Sequence, residues 1–449
     1  MSQLEGVILA AGLGKRMMSD TPKVLHEVCG RPILAHLTQT LKEAGISNPI
    51  IVCPPPPTDF SKTLGNEFRS VIQQLPQGTG NALLLTKETI GGSATHILCV
   101  SGDCPLLKAD TIGLLLETNR KSNADITLLT ALTSPQEGLG RVLRGKSHEI
   151  IGIVEERFAN EAQITINEVN AGVYCIRTEH LWQRLENLET SPNGEVLLTG
   201  LIESTIAQGG KVDSLEARNS KEILGINTRV HLAAAETIMR EDIRVYWMNQ
   251  GVTISDPIST FIDASVILGS NTKIFPNTHL KGDTQVGKNC ELGPNSIIVD
   301  TTIGDNCLIT GSTVSGSQIG DRSNVGPFSN IRPHSQISSD VHIGTSVEIK
   351  QSQIGIGTKI GHFSYIGDST LGKNINIGAG TVTCNFDGTS KHHTVIEDNV
   401  FIGSGTMIIP PITIGANSNT GAGSVVNRDV LSGQLVFGNP AKPRKPRDI

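Results

Sequence analysis

The hydrophobic positions of this chain repeat on two different periods, and the change falls near its middle. Over residues 1–228, the apolar runs 6–10, 48–53, 95–100 and 124–129 are short and uninterrupted, as buried strands are. Between them, residues 32–44, 81–89 and 110–121 space their apolar side chains as one face of a helix. Alternation of this kind predicts a doubly wound α/β sheet, whose ligands lie beyond the C-terminal ends of its strands. The proline run 54–57 suits neither a helix nor a central strand and reads as a polyproline surface loop. Residues 231–250 read as one long helix ended by Gly251. The boundaries expected are therefore a first domain over 1–228, a linker helix over 229–250, a second domain over 251–438 and a basic tail over 439–449.

Past that helix the period is six. Leu268, Ile274, Leu280, Val286, Leu292 and Ile298 keep it without interruption, and a second register runs through Ile319, Val325, Ile331, Ile337, Ile343 and Ile349. Shorter pieces are Ile354/Ile360/Ile366 and Ile402/Ile408/Ile414, with small or turn-forming neighbours, as in IGDNCL, IGDRSN and IGANSN. A hexapeptide period predicts a parallel β-helix, three hexapeptides to a triangular coil and roughly ten coils. A β-sandwich would alternate at period two instead. Composition fits: only 3% of residues are aromatic and 48 are glycine, and a triangular interior admits Ile, Val and Leu but few rings.

The net charge of -6 lacks the basic excess of a nucleic-acid binder. No apolar run approaches the ~18 residues of a membrane helix, and the first residues lack the layout of a signal peptide, so a cytoplasmic protein with no membrane partner is expected. The 8 cysteines are scattered with no CxxC pair, which indicates neither a zinc site nor a disulfide framework. Buried free thiols in a reducing compartment are the expectation.

The first strand runs directly into LAAGLGKRMMSDTPKVL, residues 9–25. Glycines let the backbone pass close to a bulky group, and the cations beside them suit an anion. The loop is neither GxGxxG nor GxxxxGK[ST]; its distinguishing addition is Lys23 after Pro22. Asp103, in SGDCP at the end of another strand, suits a turn when taken alone and a metal ligand when taken with Lys23 and Asn227.

These motifs resemble the sugar-1-phosphate nucleotidyltransferases. Joined to a C-terminal hexapeptide domain, they resemble the bifunctional N-acetylglucosamine-1-phosphate uridylyltransferase/glucosamine-1-phosphate acetyltransferase family, from residue 6 to about 438. The resemblance implies an α/β Rossmann-like nucleotidyltransferase domain followed by a left-handed parallel β-helix. It implies that Leu9, Ala10, Ala11 and Gly12 lie against the uracil and ribose of UTP, and that Gln73, Gly78 and Thr79 recognise the uracil. Arg16 and Lys23 would neutralise phosphate oxygens. Ser101, Gly102 and Asp103 match the family's YGDVP segment, and Gly140, Glu155, Asn170 and Asn227 match sugar contacts or the metal site. Mg²⁺ would be held by Asp103 and the amide oxygen of Asn227. The sugar phosphate attacks the α-phosphorus and pyrophosphate leaves, so catalysis is positioning plus charge neutralisation, with no protein nucleophile.

The segments HFSYIG, NINIGAGTVTCNFDG and FIGSGT resemble the acetyltransferase half. By that resemblance Arg332, Lys350, Tyr365, Asn376 and Lys391 bind the sugar phosphate, and His362 is the general base that frees the substrate amine. Glu348 is a candidate for orienting His362 or the amine. Ala379, Asn385, Phe386, Ser404, Ala422 and Asn439 stand at positions lining acetyl-CoA, with Ser404 and Asn385 able to donate to the thioester carbonyl. Zinc on His334, His342 and His362 is the other use of histidines on such a helix, but their spacing lacks the adjacent-rung pattern. His392 and His393 read as solvent-exposed turn residues. Coenzyme A sites in hexapeptide acyltransferases lie between neighbouring β-helices, which implies a homotrimer. The chain departs from the family's pattern at Lys15, Ser101, Phe386, residues 194–200 and Asn439. Those departures bear on selectivity and leave a different sugar 1-phosphate or dTTP as an alternative; a non-catalytic subunit that senses sugar nucleotides is a further one, which loss of Lys23, Asp103 or His362 would favour, and all three are present.

Overall fold

The computed structural model describes residues 3–12, 14–56, 60–65, 68–133 and 138–444. The chain divides into two compact units, Met1–Met239 and Arg240–Ile449.

In the first unit the long path of the main sheet runs Val212–Glu216, Ile126–Leu132, Glu168–Arg177, His96–Ser101, Leu4–Leu9, Ile50–Cys53, Arg69–Ile72. Val7, Ile8, Ile50, Ile51, Val52, Ile97, Leu98, Cys99 and Val100 are fully buried, because strands covered on both faces carry apolar residues without alternation. Most neighbours are parallel, but Glu168–Arg177 runs antiparallel to His96–Ser101 on one side and Ile126–Leu132 on the other. The sheet is therefore mixed rather than purely parallel. Asn170 and Gly172 interrupt the apolar run of that strand and its register shifts between Asn170 and Tyr174, so no simple period marks it.

The helix expected over 81–89 is two short ones, Thr79–Leu84 and Lys87–Ile90. Buried Thr86 lies between them and donates its hydroxyl to the Leu83 carbonyl at 2.7 Å, competing with the helical ladder. The prolines 54–56 form neither helix nor strand, and Pro57 lies outside the described residues.

The helix Arg229–Asn249 ends before Gly251, at φ 85°. The second unit is a left-handed parallel β-helix with three walls. Among the described residues these are sheets of 12, 10 and 9 strands, each strand two to four residues long. Ile274, Leu292, Ile309, Val325, Ile343, Ile360 and Ile377 stack in register along one wall, all buried inside. The two six-residue registers do not join in sequence, because the coils between them shorten. Ile303, Ile309 and Val314 fill the interior there, so the period slips while the core continues. The turn-formers also find their reason. Asn271, Asn277, Asn289 and Asn295 take left-handed conformations at the corners, which asparagine tolerates, and the amides of Asn271 and Asn289 stack at 2.8 Å.

Two departures from regular winding matter for the second site. Residues 384–393 leave the coil between the strands Val382–Thr383 and Thr394–Ile396, closed by a bridge between Phe386 and Lys391. The basic tail is not a separate terminus throughout: Lys442–Arg444 pairs antiparallel with Leu435–Phe437, and the Arg444 guanidinium lies 5.4 Å over the Phe437 ring. Lys445 to Ile449 lie outside the described residues. The 8 cysteines are free; Cys384 is half-buried and the others are buried. Among the described residues no helix is long and apolar enough to cross a membrane.

Two candidate active sites

The first site forms where parallel strands end. Leu9 accepts from the Gly102 N–H at 2.9 Å, and Ala10 donates to Val52 at 3.0 Å, which binds the opening loop to its neighbours on both sides. A side chain on Gly102 would strike the Leu9 carbonyl, so the two loops can touch only through glycine. Gly14, at φ 59°, passes so close to Lys23 that a Cβ there would lie 2.7 Å from the lysine Cβ. The loop thus folds back onto the stem of Lys23, in the short turn Lys23–Leu25 that Pro22 introduces.

Lys23 Nζ donates to Asp103 Oδ2 at 2.5 Å and to Asn227 Oδ1 at 3.1 Å. Asn227 is brought there because the Ile226 N–H donates to the Asp103 carbonyl at 2.9 Å. The other carboxylate oxygen, Oδ1, accepts from the Ser101 hydroxyl at 2.7 Å and more weakly from the Cys104 thiol at 3.5 Å. Burial works to raise the Asp103 pKa, but the Lys23 charge and the bonds from Lys23, Ser101 and Cys104 outweigh it and hold the carboxyl below its ordinary value. Burial, then the Asp103 charge, push the Cys104 thiol well up, so it stays neutral. Arg16 stands apart from this cluster, exposed, with its guanidinium near Gly138.

Buried Gln73 donates to the Gly78 carbonyl at 3.1 Å and to Asn81 Oδ1 at 2.9 Å. Gly78 sits at φ 98°, where a side chain would meet the Val196 carbonyl at 2.4 Å. Val196 donates to Gln77 at 2.8 Å and accepts from Gly80 at 2.9 Å, while Leu198 donates to Thr79 Oγ1 at 3.0 Å. The segment 194–200, which departs from the family's pattern, is therefore held to the 77–80 loop through its own backbone at Val196 and Leu198, independently of its side chains there. Thr199 donates to Glu155 Oε1 at 2.9 Å, and Asn170 joins the Gly140 carbonyl through its N–H at 2.8 Å and Tyr174 through its amide at 2.6 Å. Thr199, Tyr174 and the Ser101 hydroxyl bond are contributions that sequence reasoning missed; no spacing or motif marks them.

The second site follows from the register of the β-helix. Thr345 pairs with His362 on the next coil. The N–H of Gly380 donates to the His362 carbonyl, that of Gly405 to Ala379 and that of Gly423 to Ser404. His362, Ala379 and Ser404 thus occupy one corner on successive coils, with Ala422 at the same place on the coil after. His334 lies at a different corner, bonded to Gly316. Asn376 starts a strand on the wall that ends in this corner, and Tyr365 starts one on the wall that leaves it.

Ile331 pairs with Ile349, which puts Arg332 beside Lys350 one coil apart on the outer surface. Arg332 Nη1 donates to Glu348 at 2.9 Å, so Glu348 is committed to Arg332 and not to His362. Lys391 comes from the 384–393 excursion to join Lys350; its ammonium, then partial burial, lower the Lys350 pKa, against the pull of Asp368 at 3.9 Å. The Tyr365 hydroxyl lies over Gly367, where a Cβ would come within 2.5 Å of it and push the ring aside. The tyrosine therefore lies along the wall toward Asn385, whose amide donates to Tyr365 Oη at 3.4 Å and also to Asp368. That commitment leaves Ser404, exposed at the corner, as the donor free of those two partners. Phe386 and Asn439 are exposed, and His392 is half-buried, bonded through Nε2 to Asp387 at 2.6 Å, rather than a free turn residue.

A nucleotide-binding loop with a cation-bridged acid and amide, joined to a β-helix with a corner histidine and a cationic cluster, defines a nucleotidyltransferase fused to a hexapeptide acyltransferase. Residues 6–199 match the MobA-like NTP transferase domain. Residues 265–299 and 393–428 match the bacterial transferase hexapeptide, and 284–326 the hexapeptide repeat of succinyl-transferase. The chain is 41% identical over 436 residues to the bifunctional protein GlmU of Heliobacterium modesticaldum, covering 97% of this chain and 95% of that protein. It is 40% identical over 447 residues to that of Syntrophomonas wolfei, covering 99% of each. The chain belongs to the bifunctional GlmU family. It is an enzyme with two activities, uridylyl transfer and acetyl transfer, in the synthesis of UDP-N-acetylglucosamine.

Proposed function

We propose that the second unit acetylates glucosamine 1-phosphate with acetyl-CoA, and that the first unit then joins the product to UTP with release of pyrophosphate. The observation that carries this reading is the convergence of Lys23 on Asp103 and Asn227, 80 and 204 residues away, at the end of the strands where α/β ligands bind.

In the first site Lys23, with Arg16 from the opening loop, holds the triphosphate. Leu9 to Gly12 lie under the nucleoside, and Gln73, Gly78 and Thr79 read the base. Gly140, Glu155 and Asn170 orient the sugar phosphate so that its oxygen attacks the α-phosphorus opposite the departing pyrophosphate. Asp103 and Asn227 are the donors we assign to Mg²⁺. The place between them already accepts a cationic group, and one carboxylate with one amide oxygen suits a hard cation that keeps waters and phosphate ligands. When bound, such a cation supplies charge neutralisation at the phosphoryl oxygens.

In the second site Arg332, Lys350 and Lys391 hold the sugar phosphate, with Tyr365 and Asn376 beside the ring. His362 accepts a proton from the ammonium of the substrate. The freed amine attacks the thioester carbonyl, Ser404 donates to the oxygen that gains charge, and the thiolate of coenzyme A leaves. Ala379, Ala422, Asn385, Phe386 and Asn439 border the thioester. A homotrimer through the β-helix, with coenzyme A between copies, is supported by the exposed rings of Phe328 and Phe363 beside the His362 corner, 75% and 67% accessible. A cytoplasmic location is supported by the free cysteines.

The reading is tested by a matrix of UTP and dTTP against several sugar 1-phosphates, with and without acetyl-CoA. UTP with N-acetylglucosamine 1-phosphate is expected to react alone, and UTP with glucosamine 1-phosphate only when acetyl-CoA is present. Turnover of dTTP, or of an unacetylated sugar phosphate, at the higher rate would overturn it.

A further inference from the structure

The resting place of the Lys23 ammonium has a consequence for the order in which the first site fills. Nζ lies 2.5 Å from Asp103 Oδ2 and 3.1 Å from Asn227 Oδ1, the two oxygens assigned above to a divalent cation. A nitrogen at hydrogen-bond distance from both leaves no place between them for a second cation, and two positive charges there would repel strongly. The carboxylate is not the part that can swing away. Its Oδ1 is held by the Ser101 hydroxyl at 2.7 Å and the Cys104 thiol at 3.5 Å, and the backbone carbonyl of Asp103 accepts from the Ile226 N–H at 2.9 Å. The root of the lysine is set by the short turn Lys23–Leu25 and lies close against Gly14. What remains free to reorient is the unbranched stem beyond Cβ and the ammonium it carries. The two side chains are only 13% and 14% exposed, so a carboxylate left without a counter-ion there would be strongly unfavourable.

We propose that Lys23 is a displaceable counter-ion: its ammonium closes the divalent-cation subsite of Asp103 and Asn227, and the triphosphate of an incoming nucleotide opens that subsite by drawing the ammonium onto its own oxygens. The inference rests on the reading of Asp103 and Asn227 as the metal donors. It makes Lys23 a gate as well as a phosphate ligand, so the protein without nucleotide keeps its buried carboxylate neutralised and takes up a divalent cation poorly. Nucleotide and cation then bind cooperatively, each raising the affinity of the other by the same factor.

The test uses Mn²⁺ as the probe, its free concentration read by electron paramagnetic resonance and its protein-bound fraction by water-proton relaxation. Full-length wild type, Lys23→Met and Lys23→Gln are titrated without nucleotide, then with a UTP analogue whose α,β-bridge is methylene. Both neutral variants are expected to bind Mn²⁺ more tightly than wild type without nucleotide, by roughly 5- to 150-fold, the usual span of coupling between two sites. A near-UV circular dichroism spectrum like that of wild type and a cooperative thermal unfolding transition, its midpoint lowered by the unpaired carboxylate, establish that the first unit folds in both variants. Binding of nucleotide-free Mn²⁺ by both variants no tighter than by wild type would overturn the gate. Failure of the underlying reading has a different signature: Asp103→Asn and Asn227→Ala would leave Mn²⁺ binding unchanged in the presence of the analogue.

Discussion

In the β-helix, Arg332 meets Lys350 because Ile331 and Ile349 are paired one coil apart, whereas in the α/β unit Lys23 meets Asp103 and Asn227 across 80 and 204 residues. The first kind of site is written into a period. Any residue on the outer face of one coil has its neighbour about one coil further along the sequence, and each coil contacts only the next. The second kind exists only when the whole sheet has formed, since its three residues come from three separate connections. A β-helix site therefore fails locally, when one coil is damaged, while the α/β site fails when any of several distant contacts is lost.

Four outcomes would break or sharpen this contrast. Removal of divalent cations by a chelator is expected to abolish uridylyl transfer and leave acetyl transfer near its untreated rate, each assayed with its own sugar phosphate. Equal loss of both, with acetyl transfer restored by zinc, would put a metal among the β-helix histidines instead.

Replacement of the corner histidine, His362→Ala, is expected to lower acetyl transfer by about 10²- to 10⁴-fold and leave uridylyl transfer unchanged. Asp103→Ala should do the opposite. Loss of both activities in either folded variant would mean that the two sites are not independent.

Core truncation in a coil beside the cationic cluster, Ile349→Ala, is expected to destabilise the β-helix by about 2–5 kcal/mol, as buried isoleucine truncations do. Urea unfolding should show one transition shifted to lower denaturant, with a raised KM for the sugar phosphate in acetyl transfer. A uridylyl site weakened by the same degree would contradict the local character of coil damage.

Acid should separate the two units the other way. His36 lies in the α/β unit, and its Nε2 donates to the Val28 carbonyl at 2.7 Å. Burial lowers its pKa from 6.5 to about 4 against the pull of that bond. The folded state thus favours the neutral ring, so this stabilisation is complete above pH 6.5 and fades as pH falls toward 4, where the unfolded chain binds the proton more readily. The loss amounts to about 3 kcal/mol at most. The transition that Ile349→Ala leaves in place is expected to move to lower urea between pH 7 and pH 4.5, and His36→Gln should flatten that dependence. An unchanged slope in His36→Gln would assign the acid sensitivity elsewhere.

Much of this was legible without coordinates. The six-residue period specified the β-helix because a triangular coil imposes the same spacing on every turn, and Ile274, Leu280 and Ile331 are all fully buried inside it. The strands of the α/β unit were legible as apolar runs for the same reason, since both of their faces are covered. The resemblance supplied the site residues that we propose, position by position, and the loop after the first strand pointed to an anion through its own glycines and cations. What the sequence could not express is any relation without a period. The antiparallel strand Glu168–Arg177 inserts between parallel neighbours, and its polar and glycine interruptions, Asn170 and Gly172, fall where its register shifts. The shortened coils between Ile298 and Ile319 keep the core while breaking the spacing that would reveal it. Asn385 turns to Asp368 and Tyr365, Glu348 to Arg332, and Val196 clamps the 77–80 loop through backbone alone. Only the tertiary structure decided that Lys23 rests between Asp103 and Asn227, because a hydrogen bond is a matter of a few ångströms in space and their separation along the chain carries no trace of it.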